Sequence, residues 1–415
     1  MKGHSQQPII GDTDHCSSGL TKSRNQGEVA VKDISASQTL LTAVDRHAKV
    51  GISASSEAVT VCGPSAERSA PRHITALRGR ALEFVRLGQE QDDGDLCIPP
   101  SEIIETASSR RSSRELSCKL GATRAKNMFV SLSKFKSPWL QLMKGQLVGG
   151  PGSTSKPLAW QDDTPRCYQD SNGTPLLVHL PSLLLNESLK SATDALIDFA
   201  KLHPSAVSSS AGADAKSRDP PDSYRALPGH ISGQLKLVKA WHRIGHHTEA
   251  PSASAHILDS AKRFRDACNL LRDLRLISDP VEAALCAVDP AQYVAMQELR
   301  IRLEGACPYL KGLDAIDPLP YMGRIVVFNR KTPAHFDRRD PPNAWTCIVA
   351  LGDFKEGSLR ISQLNLTVRL EPGDAVMLRG HVLKHEVQDW KGNQRISVVH
   401  FTHQSLWDFV SLICP

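Results

Sequence analysis

The chain has 415 residues, about two or three average domains, and 40% of them are hydrophobic, enough to build a core. Aromatic residues make up only 5%, so part of the chain is expected to stay unfolded. The net charge of +6 is too mild to argue by itself for a nucleic-acid partner, and no stretch approaches the ~18 apolar residues of a membrane span. Ten cysteines are scattered from Cys16 to Cys414 with no C-x-x-C pair. That usage fits a reducing compartment, nucleus or cytoplasm, and neither a disulfide framework nor a zinc knuckle. The N-terminus, MKGHSQQPIIGDTDH, has no apolar run of the kind a secretory signal needs.

Residues 1–108 are rich in Ser, Ala, Gly, Asp and Gln and are expected to be mostly disordered, apart from a short helix over Ile74–Gly88. Residues 109–164 hold a basic tract and a Gly/Pro linker. From Arg110 to Lys136 eight cations face one acid, Glu115. Such a tract is either a solvated tail or a nucleic-acid tether or import signal, the last of which favours the nucleus. Gly149-Gly150-Pro151-Gly152-Ser153 follows as a linker.

A folded unit is expected to start between about Thr164 and Asp170. Asp170-Ser171-Asn172-Gly173 is turn chemistry ahead of the strand-like LLVHL. Asn186–Leu202 has helical spacing and stops before Pro204. Residues 205–308 read as a helical insert that opens on a low-complexity stretch, residues 205–222, with helices over Gln234–His246, His256–Leu276, Pro280–Val288 and Pro290–Leu303. Residues 323–403 change texture. Arg324–Asn329, Trp345–Leu351, Leu366–Leu370, Ala375–Arg379 and Arg395–Thr402 are short β-branched runs, several of them separated by Gly turns. The fold class is therefore α+β, a helical layer followed by a double-sheet jelly roll.

His335-Phe336-Asp337 follows the first of these strands. In an extended segment the first and third side chains share a face, so an imidazole and a carboxylate point at one place. His385 lies 48 residues beyond Asp337, after the turn Pro372-Gly373-Asp374. Two histidines and a carboxylate make the facial triad of non-haem Fe(II) oxygenases. A lone H-x-D is weak, and His247-Thr248-Glu249 is a rival pair in the same chain. The strand context separates the two, as does Arg395, ten residues past His385, whose guanidinium fork suits a carboxylate.

The segment NRKTPAHFDRRDPP…LGDF…GSLRISQLNLTVRLEPGDAVMLRGHVLKHEVQDWKGNQRISVVHFTH, from Asn329 to His403, resembles the TET/JBP family of 2-oxoglutarate oxygenases, and most closely the branch widespread in fungi. A weaker likeness reaches back to Asp170, and residues before about 165 show none. The resemblance implies a double-stranded β-helix and a dioxygenase domain over residues 165–415. It implies Fe(II) held by His335, Asp337 and His385, and 2-oxoglutarate bound by Arg395, with Asn329 and Arg330 lining the same pocket. It also implies dioxygen as co-substrate, release of succinate and CO2, and a substrate C–H in the methyl group of a 5-methylpyrimidine, such as 5-methylcytosine in DNA, flipped from the duplex. His381 competes with His385 for the third ligand position, and the ten-residue spacing to Arg395 favours His385. Asp340 reads equally as a substrate or loop-closing acid and as a solvated one. Two other readings stay open: the same chemistry on a protein or small molecule, and a catalytically silent, mobile-element-derived nucleic-acid binder.

Overall fold

The structure, a computed structural model, describes residues 100–150, 156–204, 223–243 and 245–415. The Ile74–Gly88 helix, the low-complexity stretch 205–222 and the linker residues 151–153 lie outside the described residues.

The described chain opens with α1 (Pro100–Val130), β1 (Ser133–Lys136), β2 (Gln141–Met143), β3 (Gln146–Val148), β4 (Leu158–Trp160), β5 (Arg166–Gln169), β6 (Pro175–Leu180) and α2 (Asn186–Leu202). Then come β7 (Gly233–Val238) and five helices: α3 (Ala255–Leu258), α4 (Ala261–Asp273), α5 (Arg275–Val288), α6 (Pro290–Ala306) and α7 (Tyr309–Ile316). The last part is β8 (Gly323–Phe328), β9 (Thr346–Lys355), β10 (Ser358–Ile361), β11 (Leu366–Arg369), β12 (Ala375–Leu378), β13 (His385–Val387), β14 (Lys391–Phe401) and α8 (Gln404–Phe409).

Eight strands form one sheet, in the order β1-β5-β6-β12-β9-β14-β8-β7, and four form a second, β13-β10-β11-β4. Side-chain alternation on β9 explains the layering. Cys347, Val349 and Leu351 enter a core shared with the helices, while Ile348, Ala350 and Phe354 enter a second core shared with the small sheet. The large sheet is therefore buried on both faces, helices on one side and the small sheet on the other. The Pro372-Gly373-Asp374 turn is tied across the layers. The Asp374 carboxylate accepts from the N–H groups of Ser182 and Glu371 and takes Arg369 as a bidentate partner.

Two expectations need correcting. Gln234–His246 is not a helix: Leu235, Leu237 and Val238 are buried and Gln234 and Lys236 less so, a period of two, and the segment pairs with β8 as an edge strand. The basic segment Leu237–His247 is accordingly no helical face; past Val238 it runs through turns and bridges, with Ile244 outside the described residues. Second, the basic tract is ordered. It lies in α1 and β1, and the first nine residues of α1, Pro100 to Ser108, fall where disorder was expected. Cys118, Gly121, Ala125 and Met128 recur every three or four residues and are buried as α1 packs on α5. Arg114 pairs with Asp273, and Arg124 donates to the Ser182 carbonyl. β1 pairs in parallel with β5, and β4 with β11. The described packing thus begins well before residue 165.

Candidate metal centre

The loop after β8 returns as a short bridge against β13. His335 and His385 exchange both backbone hydrogen bonds, each 3.0 Å, and Asp337 N–H donates to the Gly380 carbonyl at 2.9 Å. Directly opposed residues of an antiparallel pair put their side chains on the same face. The two imidazole centroids are 4.3 Å apart. The ligand atoms of His335, Asp337 and His385 all lie within 4.8 Å of one another. Among the described residues no other group of three His, Cys, Asp or Glu side chains converges in this way.

Tautomers are set by the backbone. His335 Nδ1 lies 2.8 Å from the Pro333 carbonyl, and His385 Nδ1 lies 2.9 Å from that of Leu383. A carbonyl can only accept, so each Nδ1 donates, and in the neutral imidazole each Nε2 keeps its lone pair. Those Nε2 atoms face the Asp337 oxygens at 3.5 and 3.7 Å. Two lone pairs and a carboxylate directed at one point form a divalent-cation donor set with its imidazoles already oriented. Burial lowers the His385 pKa, partly offset by Asp337; burial also opposes protonation of His335, but the hydrogen bond and charge of Asp337 outweigh it and raise its pKa.

His381 stays outside. Its Nδ1 lies 2.6 Å from the Asp340 carbonyl and its own carbonyl accepts from Arg338. Asp340 is neither a solvated loop acid nor exposed to a substrate: it is buried, and its Oδ2 sits 3.2 Å from Thr346 Oγ1. The same hydroxyl is 3.5 Å from Asp337 Oδ2. Burial and then the Asp337 charge hold the Asp340 carboxyl well above the usual range. The Thr346 hydroxyl thus stands between the two carboxyl groups, as donor to either. His247 and Glu249, the rival pair, are surface residues near His242 and His246 and hold no third ligand.

Arg395 on β14 is 1% exposed, yet its Nε and Nη2 have no hydrogen-bond partner among the described residues. Its guanidinium lies 5.4 Å from the Phe354 ring and 5.3 Å from that of Trp390. Burial pushes its pKa down to about 10, so it remains a cation at neutral pH. Asn329, at the end of β8 with φ 49°, braces it: Asn329 Oδ1 accepts the Arg395 backbone N–H at 2.7 Å, and the Arg395 carbonyl accepts Asn329 N–H at 2.8 Å. Asn329 Nδ2, Ser397 Oγ and Trp390 Nε1 are also buried without partners among the described residues. Buried polar atoms are almost always paired, so an under-satisfied buried guanidinium with orphan groups on adjoining residues makes a candidate anion site. Ser397 and Trp390 escaped sequence reasoning. Ser397 was findable, two residues from Arg395 and on the same strand face; Trp390 looked like any core tryptophan. Arg330 is turned aside, its Nε on Ser223 Oγ and its guanidinium over Tyr224. Its charge nonetheless acts on His335.

No protein-family model and no curated protein matches the chain. Among solved structures, it is similar to NgTET1 in complex with 5mC DNA, at 14% identity and TM-score 0.45, over 70% of this chain and 91% of that one. It is also similar to a 2OG-Fe(II) oxygenase family oxidoreductase from Burkholderia pseudomallei, at 13% identity and TM-score 0.25, over 54% and 82% of the two chains. A third is OsALKBH1, at 15% identity and TM-score 0.27, over 55% and 97%. Likeness at this level leaves the chemistry to be argued from the site itself.

Proposed function

We propose that the chain is an Fe(II)- and 2-oxoglutarate-dependent dioxygenase that oxidises the methyl group of a 5-methylpyrimidine, 5-methylcytosine in DNA. The observation that carries the chemistry is the pairing of a convergent His335–Asp337–His385 set with a buried, under-satisfied guanidinium at Arg395. A divalent metal suits the first, and a dicarboxylate that chelates metal at one end and meets Arg395 at the other suits both. From β8 on, the chain crosses repeatedly between the sheets: β8, β9, β12 and β14 lie in the large one, the β10–β11 pair and β13 in the small one, and the His335 bridge sits against β13. That crossing pattern supports a double-stranded β-helix, a jelly roll closed around the pocket. The nucleic-acid part rests on the TET/JBP resemblance of Asn329 to His403.

In this reading, His335, Asp337 and His385 hold the iron. Arg395 offers two parallel N–H donors to the far carboxylate of 2-oxoglutarate, with Asn329 Nδ2 and Ser397 Oγ beside it. Thr346 fixes the rotation of the Asp337 carboxylate, as outer partners of metal ligands do. The aromatic faces of Phe354 and Trp390 keep water from the Arg395 guanidinium, which strengthens its hold on an anion. Iron and 2-oxoglutarate together supply the oxidising power, one oxygen atom of O2 ending in succinate, with CO2 released, and the other in the hydroxylated substrate.

Succinate release by purified protein with Fe(II) and 2-oxoglutarate tests this, with and without a duplex carrying 5-methylcytosine. Stimulation by the methylated duplex and a hydroxylated base in the product are expected. Turnover indifferent to DNA would move the substrate to a protein or small molecule. No turnover and no iron binding would overturn the enzyme reading.

A further inference from the structure

We infer that the β2–β3 hairpin and the adjoining β1 edge form a nucleic-acid grip beside the metal-centre loop, with Trp139 as its base- or sugar-stacking anchor. The inference rests on the nucleic-acid reading proposed above and adds the surface that would carry it.

Charge supplies the first observation. Between Glu115 and Asp162 the chain holds no acidic residue at all, while Lys134, Lys136 and Lys144 lie exposed along β1 and the hairpin turn. The second is apolar exposure within that basic field. Trp139 is 63% exposed and Phe135 43%, and Met143 and Val148 on the outer hairpin face are exposed too. The hairpin has two distinct faces. Leu142 and Leu147, opposite each other, turn into the core between the sheets, so the flanking Met143 and Val148 must point outward. Exposed aromatic groups interleaved with lysines and no acids match a polyanion with stackable rings. An apolar protein partner would strip water from three ammonium groups without pairing them.

The third observation is rigidity. Asp170 is fully buried, and its carboxylate is spent on this corner: Oδ2 accepts from Leu142 N–H at 2.9 Å, and Oδ1 from Asn172 and Thr174 N–H at 2.8 Å each. Ser171 N–H donates to the Leu140 carbonyl at 2.7 Å. Trp139 N–H donates to Ser137 Oγ at 3.3 Å, so the backbone is held at Trp139 and again just after it, and the indole stands on a fixed base. The hairpin turn sits against the loop that follows the metal ligands. A Cβ on Gly145, at φ 73°, would lie 2.5 Å from Pro342 Cβ, and Pro342 is five residues past Asp337. The grip and the metal-centre loop are thus in contact, which a protein that must hold a duplex while a base is extruded requires.

The test uses the full chain without added iron, so that it does not depend on turnover. Fluorescence anisotropy follows binding of a labelled duplex carrying 5-methylcytosine over a KCl series, for the parent, Trp139→Ala and the triple variant Lys134→Gln/Lys136→Gln/Lys144→Gln. All four side chains are exposed, and unchanged melting temperatures verify folding. We expect Trp139→Ala to weaken binding about tenfold or more with an unchanged salt slope. The triple variant should flatten the slope of log affinity against log salt by roughly 2 to 3. Iodide quenching of tryptophan emission should be relieved by DNA in the parent and not in Trp139→Ala. A parent that binds DNA, with both variants binding like it, overturns the grip and leaves the proposed function standing. A parent that binds no DNA, yet binds Fe(II) and 2-oxoglutarate, overturns the grip together with the DNA substrate. Variants that lose binding only to phosphatidylserine-containing vesicles would assign this edge to a membrane and also overturn it.

Discussion

Replacing Gly380 by alanine probes the metal centre with a single methyl group. A Cβ built at Gly380 would fall 3.2 Å from Asp337 Cγ and 2.9 Å from Thr346 Oγ1, with Asp337 Oδ2 closer than either. The backbone cannot open to make room without breaking the 2.9 Å bond from Asp337 N–H to the Gly380 carbonyl. Thr346 is fully buried and cannot yield. The carboxylate must therefore retreat by roughly half an ångström or rotate, whereas metal–ligand distances tolerate only about 0.2 Å. We expect Fe(II) affinity to fall by at least ~10–100-fold, the range seen when partners of metal ligands are lost. Overpacking should cost about 1–3 kcal/mol of stability. Anaerobic Fe(II) titration with 2-oxoglutarate, read by its charge-transfer band, and a thermal melt measure both. Gly150→Ala is the control, because a Cβ there meets nothing within 4 Å. Parent-like iron affinity in Gly380→Ala would show that Asp337 is not a ligand, and the triad would have to be abandoned.

Two shorter predictions follow from the same geometry. His385→Ala should abolish the charge-transfer band and His381→Ala should keep it, because His381 is anchored on the Asp340 carbonyl and turned from the triad; the opposite result would reassign the third ligand. His179 on β6 is fully buried with neither ring nitrogen bonded among the described residues, and burial, with the charges of Arg369 and Arg166, pushes its pKa down to about 3. The unfolded chain protonates near ~6.5, so between these values it holds the extra proton and the fold loses stability as pH falls, by about 1.4 kcal/mol per pH unit. His179→Leu should match or exceed the parent in urea melts at pH 7 and show an acid slope smaller by one proton; an unchanged slope would mean His179 is not buried and neutral.

Strands of residues 323–403 were legible because β-branched runs between Gly turns admit little else, and α2 matched its expected limits because Pro204 stops it. Leu237–His247 misled because a short stretch with Leu237 and Trp241 four apart satisfies a helical period as well as Gln234–Val238 satisfies a strand period. The choice came from β8, which needed a partner on its open edge. His335, Asp337, His385 and Arg395 stood out as candidates because type, order and spacing along strands survive in one dimension and because the segment from Asn329 to His403 resembles the TET/JBP family. Thr346, Gly380 and the buried Asp340 could not, since their roles depend on approaches of about 3 Å between segments far apart in sequence or on the loss of solvent around one carboxyl. Short strands such as β10 and β13 carry too few residues for a period to show.

The basic tract shows why composition hid an ordered element, and it leads to the last prediction. On α1, among the residues whose burial is described, the buried positions are Cys118, Gly121, Ala125 and Met128, three of them small, while exposed Arg, Lys and Ser are interspersed with exposed Leu116, Leu120 and Val130. Close helix packing on α5 needs only a narrow stripe of small residues, so the segment looks like a solvated tail and still docks. An autonomous unit starting near residue 165 would not need this contact, whereas a unit that includes α1 would. Ala125→Asp in the full chain separates the two. Ala125 is fully buried, and a carboxylate there would be desolvated against α5 without a partner. Such a burial costs about 3–5 kcal/mol unless the helix undocks, which for a unit of this size lowers the melting temperature by roughly 6–12 °C. Undocking should also expose the connection between α1 and β1 to limited proteolysis, and the Arg114–Asp273 pair would be lost with it. A variant that melts and resists protease like the parent would make α1 a peripheral arm, and the fold would then begin near residue 165.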